Sequence, residues 1–176
     1  MDTIETFGFE NNGVQFTVNV ICYNEYAGFG DQWKMTDAHK GGVTIANLEA
    51  DRNSYKYAIP QQCTLAELSA DYAKQGRENP SSEAYQSLQR QLSRDLNASD
   101  YGFQVSAEID GVKLFDDENL GCAFDWSWED DNSLLDAAQD VFNEYDVNQD
   151  AIELAKVKAA RFLAQADKLK ARATAQ

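Results

Sequence analysis

One histidine, two prolines, three cysteines and fifteen bases against thirty acids leave this 176-residue sequence poor in the usual catalytic parts. Each scarcity excludes something. His39 stands alone in Asp37-Ala38-His39-Lys40-Gly41-Gly42 and has no serine or cysteine partner signal, so it reads as an exposed loop residue. Cys22, Cys63 and Cys122 are odd in number, far apart and outside any CxxC pair. That pattern gives neither a disulfide framework nor a zinc site and suits reduced thiols in a cytoplasmic protein. The start, Met1-Asp2-Thr3-Ile4-Glu5, lacks a basic region followed by an apolar run, and no apolar stretch is long enough to span a bilayer. Neither a signal peptide nor a membrane role is expected.

Motifs are equally sparse. Lys40-Gly41-Gly42 lacks the spaced glycines of a phosphate loop, and neither a Gly-x-Ser-x-Gly elbow nor a dinucleotide fingerprint occurs. Asp146-Val147-Asn148-Gln149-Asp150 begins like a calcium-binding loop. Ala151 then replaces the glycine at position six, and Val157 the glutamate at position twelve, so the stretch reads as a helix start. The expectation is a protein that is not an enzyme, with no cofactor and no resident metal. A carboxylate- or metal-dependent hydrolase is the minor alternative, because thirty acids make carboxylate proximity uninformative.

What the sequence does have is negative charge. Between Glu108 and Asp150 there are fourteen carboxylates and one base, Lys113, giving −13 of the chain's net −15. From Ala151 to Gln176 six bases face two acids, net +4, so the first 150 residues carry −19. Such a field repels nucleic acid and anionic membranes and attracts basic surfaces. A hydrophobic content of 43% argues against a disordered acidic chain.

Periodicity outlines the fold. Ile4 to Phe9 and the alternating Val14, Phe16, Val18, Val20 and Cys22 form a hairpin around Asn12-Gly13. Asn24 to Gly42 reads as a long loop. Val43–Leu48 and Ser54–Ile59 form a second hairpin around Ala50-Asp51-Arg52-Asn53. Thr64 and Glu67 make a capping box for one helix, and Asn79-Pro80 opens the next. Strands return at Gly102, turn at Asp110-Gly111 and again near Asp116–Asn119. The third strand places Cys122, Phe124, Trp126 and Trp128 on one side, with burial expected for the tryptophans. Ser133 and Asp136 cap a helix with apolar Leu134, Leu135, Ala138, Val141, Phe142 and Tyr145, and a last helix runs from about Asp150 to Ala173. The expected class is α+β: antiparallel sheets built from hairpins, packed by two pairs of helices, with a long C-terminal helix. The division falls at residues 1–98, strands plus two helices, and 99–176, a three-stranded acidic unit plus two helices, if the chain is not one continuous domain.

The acidic face is the expected function. Asp136, Asp140 and Glu144 lie nearly opposite the apolar stripe of their helix, about 6 Å apart along its axis. Duplex DNA carries one charge per about 1.7 Å of axis, about 3.4 Å per strand, so neighbouring acids must add to one stripe. Asp116, Asp117, Glu118, Asp125, Glu129, Asp130 and Asp131 are the candidates. The expected protein is a nucleic-acid mimic that occupies the basic groove of a nuclease, restriction enzyme or CRISPR effector. That role suits phage or plasmid counter-defence. The alternative is an immunity or adaptor protein that holds a basic toxin or partner through an aromatic loop carrying Tyr26, Phe29 and Trp33. The heptad-like Ile152, Ala155, Ala159, Phe162, Ala166 and Leu169 also suit a homodimer through the C-terminal helix.

Overall fold

The computed structural model describes residues 3–23, 26–45 and 55–174. It is α+β, with antiparallel sheets and a long C-terminal helix, as the periodicity predicts. Two compact units share the chain: residues 3–23, 100–126 and 132–174 make the first, and residues 26–45, 55–99 and 127–131 the second. These units do not follow the expected division at residue 99. The opening hairpin belongs with the C-terminal half because its second strand pairs with the strand that begins at Ser99.

In the first unit, β1 (Thr3–Asn11), β2 (Val14–Cys22), β6 (Ser99–Ile109) and β7 (Val112–Trp126) form one sheet in the order β1-β2-β6-β7. Asn12 and Gly13 both have positive φ, 51° and 80°, the pair a type I′ turn needs. Asp110 and Gly111 repeat it at 50° and 77°. Register sets Phe16 opposite Ala107, Val18 opposite Val105 and Val20 opposite Phe103, all buried. This inward set meets α4 (Leu134–Glu144) and α5 (Val147–Ala173) through Phe142, Val147, Ala151 and Ala155.

The turn expected at Asp116–Asn119 is absent. β7 runs straight through it, with Asp117 (φ 50°) and Gly121 (φ 79°) as left-handed kinks. A side chain at Gly121 would place its Cβ 2.6 Å from Val147 Cγ2, so glycine lets the start of α5 sit against the strand. Past Gly121 the expected alternation holds for Cys122, Phe124 and Trp126, all half-buried. It fails at Trp128, which lies beyond the strand and is 68% exposed. From residue 160 onward every described residue of α5 is exposed.

The second unit contains α1 (Phe29–Gln32), β3 (Trp33–Thr36), β4 (Val43–Thr44), β5 (Tyr57–Pro60), α2 (Leu65–Lys74) and α3 (Pro80–Asn97). Its sheet is ordered β3-β5-β4. The stretch expected to be a long loop thus supplies a helical turn and an edge strand. The second hairpin pairs Val43 with Ala58 and Thr44 with Tyr57, and its expected turn at residues 50–53 lies outside the described residues. Thr64 and Glu67 make the capping box in full: Glu67 N–H donates to Thr64 Oγ1 at 3.3 Å, and Thr64 N–H to Glu67 Oε2 at 2.9 Å. The Thr64 N–H and, at 2.7 Å, the Thr64 hydroxyl both donate to the Glu67 carboxylate and hold it below its ordinary range. Trp33, Val43, Ile45, Ala58, Leu88 and Leu92 form the core.

Candidate acidic surface

The α4 helix is the best-built part of the acidic stretch. Ser133 adopts an extended backbone and its Oγ accepts from Asp136 N–H at 3.1 Å while donating to Asp136 Oδ2 at 2.7 Å. This closes the N-terminus, and a carboxylate in the first turn also suits the helix dipole. Leu134, Ala138 and Phe142 recur every four residues on the buried side. Asp136, Asp140 and Glu144 have the same spacing and are exposed. The stripe is therefore fixed in direction by the packing behind it.

The remaining candidates divide by what holds them. Asp116 is ion-paired with Lys113 and accepts from Ser106 Oγ at 2.9 Å. The Lys113 and Ser106 hydrogen bonds pull its carboxyl below the ordinary range, and Asp116 in turn raises Lys113. Glu118 is paired with Lys158 of α5 at 2.8 Å. Asp117 is exposed; its N–H donates to Ser106 Oγ at 2.9 Å, and its Oδ1 lies 3.4 Å from the same hydroxyl. Asp125 is exposed on β7.

Glu129, Asp130 and Asp131 belong to the second unit, and two of them are committed within it. Glu129 Oε1 accepts from Ser93 Oγ at 2.8 Å and Asn97 Nδ2 at 2.9 Å. Asp130 takes Arg94 Nε at 2.9 Å and Nη2 at 3.2 Å, a two-pronged grip. Burial raises the Asp130 carboxyl, but the Arg94 bonds, the Ser127 N–H and the Arg94 charge together outweigh it, so it lies below its ordinary value. Only Asp131 of the three is exposed. Asp146 and Asp150, outside the ten residues picked from sequence, are exposed where α4 gives way to α5.

The aromatic loop does not present its residues as an anchor. Trp33 is 3% exposed and its Nε1 donates to Asp95 Oδ2 at 2.8 Å. Phe29 packs against the same core, and Tyr26 is half-buried with its ring beside Gly28. A tryptophan already buried in its own unit has no indole face left for a partner.

His39 is exposed, and its imidazole meets the Tyr57 ring edge-on at 5.2 Å. A shallow polar hollow of about 260 Å³ lies on the solvent face of the first sheet, lined by Thr17, Asn19, Ser106, Glu108 and Lys113 among others. Among the described residues no group of three or more histidine, cysteine, aspartate or glutamate side chains converges on a metal position. None of their helices is long and apolar enough to cross a membrane. Comparison with family models, with curated proteins and with solved structures finds no match to this chain.

Proposed function

We propose that this protein binds a basic, nucleic-acid-binding surface of another protein and occupies it as a nucleic-acid mimic. The observation that supports the reading is the α4 stripe: three exposed carboxylates at four-residue spacing on a capped helix whose opposite side is buried. Such a row presents its charge from a backbone that is already ordered, so only side-chain freedom is lost on binding. Asp117, Asp125, Asp146 and Asp150 add charge on the same unit. A nuclease, restriction enzyme or CRISPR effector is the partner class this charge fits, with counter-defence in the cytoplasm as the setting.

The test is capture of partners from a bacterial lysate at low and moderate salt, with competition by DNA or RNA. The expected result is a nucleic-acid enzyme released by either treatment. Reversing Asp136, Asp140 and Glu144 to lysine weakens its binding about 100-fold or more, since like charges juxtaposed across an interface cost several kcal/mol. Capture that survives both salt and the triple reversal overturns the reading.

Self-association is a second reading, favoured by one observation. The stripe that buries Ala151 and Ala155 continues as Ala159, Phe162, Ala166 and Leu169, and Phe162 and Leu169 are 47% and 64% exposed. Sedimentation of the full chain tests it. A dimer that reverts to monomer when Phe162 and Leu169 are both changed to serine supports pairing through α5, and a monomer at all concentrations rules it out.

A further inference from the structure

Trp128 belongs to neither apolar core and is the most exposed large aromatic among the described residues. Its surroundings are rigid. Asp130 N–H donates to Ser127 O at 3.0 Å and closes a tight turn with Trp128 and Glu129 at its centre. Ser127 is fully buried; its Oγ accepts from Glu129 N–H at 3.2 Å and its N–H donates to Asp130 Oδ2 at 2.9 Å. Arg94 grips Asp130, and Ser93 and Asn97 hold Glu129, so both residues after the indole are tied to α3. These bonds hold the backbone of the turn that exposes Trp128.

An exposed indole on a held backbone is the kind of residue that carries binding energy, because a large flat surface is covered at the cost of ordering two χ angles. The local charge says what covers it. Glu129, Asp130 and Asp131 follow directly in sequence, and Asp131 is exposed. Asp130 is already paired with Arg94, so Glu129 and the exposed Asp131 supply the net negative charge at the turn, which repels nucleic acid and draws cations. Among cations a guanidinium fits best: it is planar, stacks flat on an indole and can meet a carboxylate with its edge while stacked. An ammonium has no plane to stack.

We propose that Trp128 is an arginine-accepting anchor, its indole face taking a guanidinium of a basic partner surface with Asp131 as the adjoining countercharge. The proposal deepens the reading of a basic partner and rests on it for the partner's identity. Its own chemistry is tested separately.

The experiment titrates the full chain with deca-arginine and with deca-lysine at low salt, following heat. Trp128→Ala is expected to weaken deca-arginine about tenfold and deca-lysine less than threefold, with Trp128→Phe in between. Unchanged thermal unfolding confirms that the exposed side chain was removed without damage to the fold. Equal loss for both peptides, no loss for deca-arginine, or no binding of deca-arginine by the unaltered chain overturns the anchor. The α4 triple reversal separates the two ideas. If it leaves both peptides bound while Trp128→Ala still discriminates, the acidic-stripe reading fails and the anchor stands. If it weakens both while Trp128→Ala changes neither, the anchor alone fails.

Discussion

Replacing Phe142 by alanine is expected to lower the stability of the first unit by about 4 kcal/mol, in the range for a large buried aromatic cut to a methyl. Phe142 is 2% exposed. Its ring meets Phe7 edge-on at 5.2 Å, Phe103 edge-on at 5.2 Å and Phe9 at 5.8 Å. Three aromatic partners lose contact at once, and each such pair is worth about 0.5–1.5 kcal/mol beyond its buried area. Packed strand residues on one side and a helix backbone on the other give the site little freedom to collapse, so the cavity term stays large. Because Phe142 lies behind the exposed acids of α4, its loss also loosens the stripe and weakens binding to a basic partner. Urea unfolding followed by circular dichroism checks the first effect. Tyr145→Ala, one turn on and 60% exposed, is the control and should stay within about 0.5 kcal/mol. A Phe142→Ala loss under about 1 kcal/mol would mean that the helix is not docked as described.

That contrast shows which parts of the protein were legible in the sequence. The apolar set Leu134, Leu135, Ala138, Val141, Phe142 and Tyr145 announces the packed side of α4: Leu134, Ala138 and Phe142 are buried and Leu135 and Val141 half-buried, while Tyr145, at the end of the helix, is exposed. Asn12-Gly13 and Asp110-Gly111 announce their hairpins, since few other dipeptides accept two positive φ angles. Signals of this kind are local. The pairing of β2 with β6 has no local signal, and for that reason the expected division does not follow the units. Charge composition likewise marks acids without saying which are already satisfied. Arg94 and Asp130 meet across thirty-six positions, and no pattern in either neighbourhood tells of it. Trp128 was misread for a different reason. Two-residue alternation was carried past Trp126, although Ser127 and the acids after Trp128 are turn formers that stop a strand.

Arg94→Ala is expected to cost about 3 kcal/mol at neutral pH, as removing one partner of a largely buried ion pair does. Two carboxylates depend on this guanidinium. Asp95 is 3% exposed and is left with Trp33 Nε1 at 2.8 Å after losing Arg94 Nη1 at 3.2 Å. Asp130 loses the two-pronged bond that offsets its burial. The pH dependence has a definite sign. Asp130 is held below the ordinary aspartate value of 3.8, so the folded form binds its proton less readily than the unfolded chain. Its contribution is present above that ordinary value and is lost as the pH falls through the lower folded one. Without Arg94 the restraint disappears, and the acid limb of unfolding moves to higher pH. Arg94→Lys keeps the charge without the fork and should recover part of the stability, about 1 kcal/mol or more. Arg90→Ala, exposed on the same helix, should change little, within about 0.5 kcal/mol. Urea unfolding at neutral pH and at a series of values from about pH 5 down to about pH 3 reads both effects. The same substitution also frees the turn that presents Trp128, so deca-arginine affinity should fall in Arg94→Ala even where the chain is still folded. A stable variant with unchanged affinity would show that the indole is positioned by the turn itself and owes nothing to Arg94.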